Sequence, residues 1–184
     1  MVSKYNKYFP LCRKIINDKE STIKLYTCLV NGLLFKKKGF IITNIKCDKK
    51  PTYCRFYNKD SFIGQKSITY YEVLNEYKYD EQFYSLINVR IFTGRTHQIR
   101  VSMNSQNTPL VSDNKYYLNK MQHNKNKKLV NRMFLHNYNL VVNIDNNVKN
   151  VFCDLPDDLK ECLNKLELLK QYKYNNLYKI KLPK

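Results

Sequence analysis

Tryptophan is absent from this 184-residue chain, and glycine (four), proline (five) and histidine (three) are scarce. So little Gly and Pro excludes a collagen-like or Gly/Pro-rich low-complexity polymer. No apolar run approaches the ~18 residues a membrane-crossing helix needs, so no membrane association is expected. The first residues, MVSKYNKYFPLCRK, lack the continuous apolar core of a signal peptide. Their basic and hydroxyl content leaves cytoplasm, nucleus and organelle open within an intracellular expectation. Acidic residues are few: fifteen Asp and Glu stand against thirty-three Lys and Arg, a net charge of +18. The six cysteines contain no C-x-x-C pair, and no histidine sits at zinc-ligand spacing from a cysteine pair. Free thiols are therefore expected rather than a metal site or a disulfide framework.

The positive charge points to a polyanionic partner. Much of it is lysine, which rises here together with Asn, Tyr and Ile, as an AT-rich coding sequence produces. Arginine is the better witness. Of the six, Arg13, Arg55, Arg90, Arg95, Arg100 and Arg132, three fall between residues 90 and 100.

Those three frame the stretch LINVRIFTGRTHQIRV, residues 86–101. Ile87, Val89 and Ile91 alternate with Asn88 and Arg90, which reads as a strand with one apolar face. Phe92-Thr93-Gly94 breaks the alternation, and Gly94 suits a sharp turn. A helix is expected from Thr96, whose hydroxyl can cap it, with Ile99 and Met103 on one face. A strand end, a turn, a helix start and guanidiniums from Arg95 and Arg100 together make an anion site.

Elsewhere, helical spacing over 3–20 gives a short helix ending at Asn17-Asp18. Residues 22–31 alternate as a strand: Ile23, Leu25, Thr27 and Leu29 on one face, Lys24, Tyr26, Cys28 and Val30 on the other. Lys36-Lys37-Lys38-Gly39 reads as a basic turn before a second strand at 40–45. Residues 48–65 read as irregular, with a turn at Asp48-Lys49-Lys50-Pro51. Strands at 67–78 and 82–92 form an antiparallel hairpin. Residues 119–131, NKMQHNKNKKLVN, read as a mobile basic loop with His123 exposed. A strand follows at 132–144, a turn at 145–151, and a helix at 156–172 carried by Leu159, Cys162, Leu163, Leu166 and Leu169.

GRTHQIR, residues 94–100, resembles the signature of the RluA-like family of pseudouridine synthases. Further segments resemble that family in its order. Lys24 to Gly32 is similar to its K-x-Y…V-x-G strand, and Gly64 to Leu74 to its G-K-x-A-x-T-x-Y-x-V-L strand. Pro109-Leu110-Val111-Ser112-Asp113 with Tyr116 is similar to P-L-V-G-D-x-x-Y, with Ser112 where Gly is usual. Arg132 to His136 is similar to R-x-x-L-H, and Leu155 to Leu159 to L-P-x-D-L. The resemblance covers roughly residues 10 to 165. The family's H-R-L-D-x-x-T-S-G motif has no counterpart: none of the nine aspartates follows Arg-Leu or precedes Thr-Ser-Gly.

The resemblance implies an α+β fold, a mixed, mainly antiparallel sheet flanked by helices, here N-terminally incomplete. Residues 1–172 would form a catalytic-like domain lacking its N-terminal part, and 173–184 a basic C-terminal tail. It implies isomerisation of uridine in rRNA or tRNA, with no cofactor and no metal. The alternative is a catalytically silent RNA-binding protein of the same fold. Tyr26 would stack on the extruded base, and Arg95 would pair with the catalytic aspartate. Arg100, Lys24 and Arg90 would meet RNA, Arg100 alternatively bracing the fold. Gly94, Thr96, His97, Gln98 and Asp113 would hold the motif. Activity would need a carboxylate from an upstream segment or a partner that also completes the sheet. A chain without that segment is expected to be poorly soluble or oligomeric, through an unpaired sheet edge.

Overall fold

The computed structural model describes residues 5–18, 22–48, 53–144, 146–173 and 175–182. The anticipated turn at 48–51 lies largely outside them.

One eight-stranded sheet dominates. Its strands are β1 (Thr22–Asn31), β2 (Lys38–Cys47), β3 (Cys54–Tyr57), β4 (Gln65–Tyr79), β5 (Gln82–Ile91), β6 (Leu135–Ile144), β7 (Asn147–Phe152) and β8 (Glu167–Gln171). The spatial order is β3-β2-β4-β5-β1-β6-β7, with β8 pairing the far end of β4. Every ladder among the described residues is antiparallel. The helices are α1 (Phe9–Asn17), α2 (Gln98–Asn104), α3 (Lys120–Leu129) and α4 (Asp157–Asn164). The α+β class thus takes a wholly antiparallel form.

The alternation of β1 sorts the two faces. Cys28 and Val30 join a core with Tyr71, Val73, Ile87, Val89, Ile99 and Met103, while half-buried Tyr26 packs at its margin. Leu29 belongs to the opposite core, with Leu86, Phe134, Leu159 and Cys162. With seven residues, α2 is too short to be stable alone. It is held because Ile99, Val101 and Met103 are buried, each contributing about 2 kcal/mol. Gly32, at φ +84, ends β1 and donates its N–H to the Phe83 carbonyl at 2.7 Å.

Several expectations change, and residues 54–57, within the stretch expected to be irregular, form β3. Residues 119–131 are not a mobile loop but α3, capped by the Asn119 side chain on the Gln122 N–H. Its inner face is polar: Gln122 and Asn126 both donate to Asn31 Oδ1, at 3.2 and 2.8 Å. His123 is half-buried and stacks on Tyr117. Part of the turn expected at 145–151 is β7, whose residues are all exposed and therefore carry no alternation. The helix expected over 156–172 stops at Asn164, and 167–171 become β8. Cys47 and Cys54, expected as thiols, face each other across the β2–β3 ladder and form a disulfide. The ladder, not the spacing of the six cysteines, brings them together.

Residues 175–182 lie against the sheet. Asn175 donates from its backbone N–H and its side chain to Glu72 at 2.8 and 2.9 Å, and Leu177 is buried.

Candidate active site

The site grows from the end of β5. After Ile91 the chain turns through Phe92–His97 and enters α2. The Phe92 N–H still reaches the Ile68 carbonyl on β4 at 3.0 Å, and Thr93 Oγ1 accepts the Ile68 N–H at 3.0 Å. Gln98, buried at the helix start, closes the loop. Its Oε1 accepts from Thr93 Oγ1 at 2.7 Å and from the Arg95 N–H at 3.0 Å. Its Nε2 donates to the Ile68 carbonyl and to Thr69 Oγ1 at 3.0 and 3.1 Å. All four hydrogen-bonding positions of the amide are filled, so the backbone carrying Arg95 is fixed to β4.

The left-handed residue of this turn is His97, at φ +55, and not Gly94. The helix accordingly begins at Gln98 with no side-chain cap, and Thr96 does not cap it. A Cβ on Gly94 would meet open space. Gly94 lines both neighbouring cavities, so its lack of a side chain leaves them room.

The Arg95 Nε donates to the Lys66 carbonyl at 3.0 Å, which anchors the guanidinium by one edge. The ion pairs among the described residues use Lys37, Arg55, Lys78, Arg100, Arg132 and Lys160, and Arg95 takes part in none of them. Arg95 lines a cavity of ≈ 260 Å³ with Lys24, Arg90, Gly94, Thr22 and Asp18. Burial lowers the Lys24 ammonium from its ordinary value. Asp18 is the one carboxylate among the lining residues, and sequence reasoning placed it only as a helix end. Tyr26 stands two residues beyond Lys24 on the same face of β1, with Val89 opposite on β5. Its phenol is raised by burial and by neighbouring Cys28.

Other anticipated site residues lie elsewhere. Arg100 forks the Asp113 carboxylate at 2.7 and 2.6 Å, which places this guanidinium in a brace. Asp113 also accepts the N–H groups of Lys115 and Tyr116 at 2.8 and 3.1 Å. Arg90 lies over the Phe92 ring, and its Nη1 is 2.8–2.9 Å from the carbonyls of Leu177, Tyr178 and Ile180. That nitrogen is therefore engaged by residues 177–180 and not left open to RNA. The His97 Nδ1 is 3.0 Å from the Tyr116 hydroxyl, which accepts the Cys54 N–H at 2.8 Å. Burial, with Arg100 and Lys115 nearby, keeps the imidazole below its ordinary pKa.

Ser112, where the resembled motif has Gly, adopts φ +58. The left-handed backbone explains the usual glycine. The Ser112 hydroxyl offsets part of the strain by donating to the Val130 carbonyl at 2.7 Å. Among the described residues no cluster of His, Cys, Asp or Glu could hold a metal ion.

Arg95, Lys24 and the cavity they line thus sit on an antiparallel α+β sheet, and Tyr26 is not among the residues lining that cavity. The model of the RNA pseudouridylate synthase family covers residues 1–105, and the chain belongs to this family. Among curated relatives, it is 35% identical over 154 residues to ribosomal large subunit pseudouridine synthase C of Buchnera aphidicola subsp. Baizongia pistaciae, covering 72% of this chain and 48% of that protein. It is 38% identical over 113 residues to synthase D of Buchnera aphidicola subsp. Acyrthosiphon pisum, covering 56% and 35%. The chain thus spans a third to a half of these relatives' length. The structure titled human RNA pseudouridylate synthase domain containing 1 superposes with a TM-score of 0.74 at 20% identity, over 93% of this chain and 69% of that one.

Proposed function

We propose that this chain takes part in RNA pseudouridine synthesis, isomerising uridine to pseudouridine in rRNA or tRNA. The observation that carries this is Arg95. Its backbone is locked by Gln98 and its Nε by Lys66, and Arg95 lines a cavity. A pre-oriented guanidinium of this kind can hold a carboxylate against the ribose or base. Tyr26 offers a ring for an extruded uracil, and Lys24 offers positive charge to its phosphate.

In this reading, residues 1–172 supply the binding and orienting share of the reaction. The reacting carboxylate comes from a segment bearing the Arg-Leu-Asp motif, upstream or on a partner. The test is a pseudouridine assay on total RNA with the chain alone and with such a segment supplied. Activity restored by the segment and abolished by Arg95→Ala supports the assignment; an active Arg95→Ala protein overturns it. Turnover by the chain alone directs mutation first to Asp18, which lines the cavity, and not to Asp113, which is bound to Arg100. RNA binding without turnover in either case favours the catalytically silent member of the fold.

A further inference from the structure

The segment 58–64, NKDSFIG, is pinned to β2 yet displays an apolar ring. The buried Asn44 side chain donates to the carbonyls of Asn58, Lys59 and Ser61 at 3.2, 3.1 and 2.7 Å. The Ser61 hydroxyl accepts the Ile63 N–H at 3.0 Å. Gly64 closes the turn at φ +89, where a Cβ would lie 2.8 Å from the Ile45 carbonyl group. At the tip of this braced turn Phe62 is 104% exposed. A turn free to relax would fold such a ring against the protein. Here the backbone bonds hold it out.

Phe62 faces a setting with polyanion chemistry. It lines a cavity of ≈ 650 Å³ with Lys46, Gln65, Gly94, Arg95 and Thr96. Gly94 and Arg95 are shared with the smaller cavity that Lys24 lines. Two cavities therefore meet at Arg95, one beside β1 and one beside the Phe62 turn. We propose that Phe62 is a stacking platform for an unpaired RNA base next to the target nucleotide, with Lys46 meeting the intervening phosphate. The proposal rests on the reading of the site as RNA-modifying. Its chemistry is general: every base has a π-face, so a ring beside cations binds single-stranded RNA without reading its sequence.

The absence of tryptophan supplies the probe. Phe62→Trp places a single indole at the platform, and it is titrated with an oligouridylate and with an abasic ribose-phosphate oligomer of equal length. The platform requires quenching by the oligouridylate alone. Phe62→Ala is expected to bind the oligouridylate roughly tenfold more weakly. Its melting temperature and its affinity for the abasic oligomer should stay as in the parent, and Phe62→Tyr should retain binding. If Phe62→Ala binds the oligouridylate as tightly as the parent, the platform is overturned while the RNA reading stands, and the ring is left as a contact for another protein. Equal quenching by both oligomers also overturns it. A parent chain that binds neither oligomer overturns the platform and the RNA reading together.

Discussion

The side-chain oxygen of Gln98 accepts the backbone N–H of Arg95 at 3.0 Å, across the turn that leads into α2. The same amide donates to the Ile68 carbonyl, so one side chain fixes the position of Arg95 relative to β4. Gln98→Ala should strand buried polar groups and cost about 2–3 kcal/mol in urea unfolding. Gln98→Glu keeps the acceptor but sets a buried carboxylate oxygen against the Ile68 carbonyl, and should cost at least as much. In a complete synthase, both variants should lower kcat with the Arg95 side chain unchanged. A wild-type kcat in Gln98→Ala would show that the turn holds Arg95 without this anchor.

Arg100 and Asp113 form a largely buried ion pair, with side chains 15% and 0% exposed. Removing one partner leaves the other charge uncompensated, so Asp113→Asn should lose about 3 kcal/mol of stability. Arg100→Lys keeps the charge but not the two-pronged geometry, and should lose part of that amount. Oligouridylate affinity of the folded Arg100→Lys protein should match the parent, because the pair braces the Pro109–Tyr116 turn rather than meeting RNA. A selective loss of RNA affinity with unchanged stability would reverse that assignment.

The parts legible in sequence were the strands whose residue types alternate. Ile87, Val89 and Ile91 of β5 stand between Asn88 and Arg90, and this period of two marks the strand even though the middle of β5 is buried on both faces. GRTHQIR was legible as a motif, although the left-handed residue proved to be His97 rather than Gly94, because φ depends on how Gln98 reaches Ile68. α3 was illegible because amides hold its inner face. Gln122 and Asn126 look like loop residues until Asn31 and Tyr84, distant in sequence, supply their partners. β7 and β8 are exposed throughout and have no pattern to read. The partners of Arg90 are backbone carbonyls near the other end of the chain, which no residue type announces.

His97 gives the site a pH dependence with a definite sign. Its folded-state pKa is lowered by burial and by Arg100 and Lys115, so the unfolded chain binds the proton more tightly. Stability is then fully present above the unfolded value of about 6.5 and falls as pH drops below it toward the folded value. Asn tolerates the same left-handed backbone, so His97→Asn should remove this part of the acid sensitivity. Melting temperatures of the two proteins should diverge least near pH 5 and most near pH 8. A parent-minus-variant difference in melting temperature that grows on acidification would contradict the sign.

Beneath the same turn, the sulfurs of Cys47 and Cys54 lie 3.8 and 3.5 Å from the Thr96 carbonyl. Cys54 is buried, and its N–H holds the Tyr116 hydroxyl that meets His97. The crosslink therefore ties the β2–β3 edge to the underside of the Arg95 turn. Closing a loop with a sequence separation of 7 should contribute about 2 kcal/mol through the unfolded state. Reduction, or Cys47→Ser, should lower the unfolding free energy measured in urea by that amount. Cys54→Ser should lower it further, because its hydroxyl is buried where the sulfur packs against Val101 and Tyr116. If reduction leaves the midpoint unchanged, the ladder and the Tyr116 bond hold this edge without the crosslink.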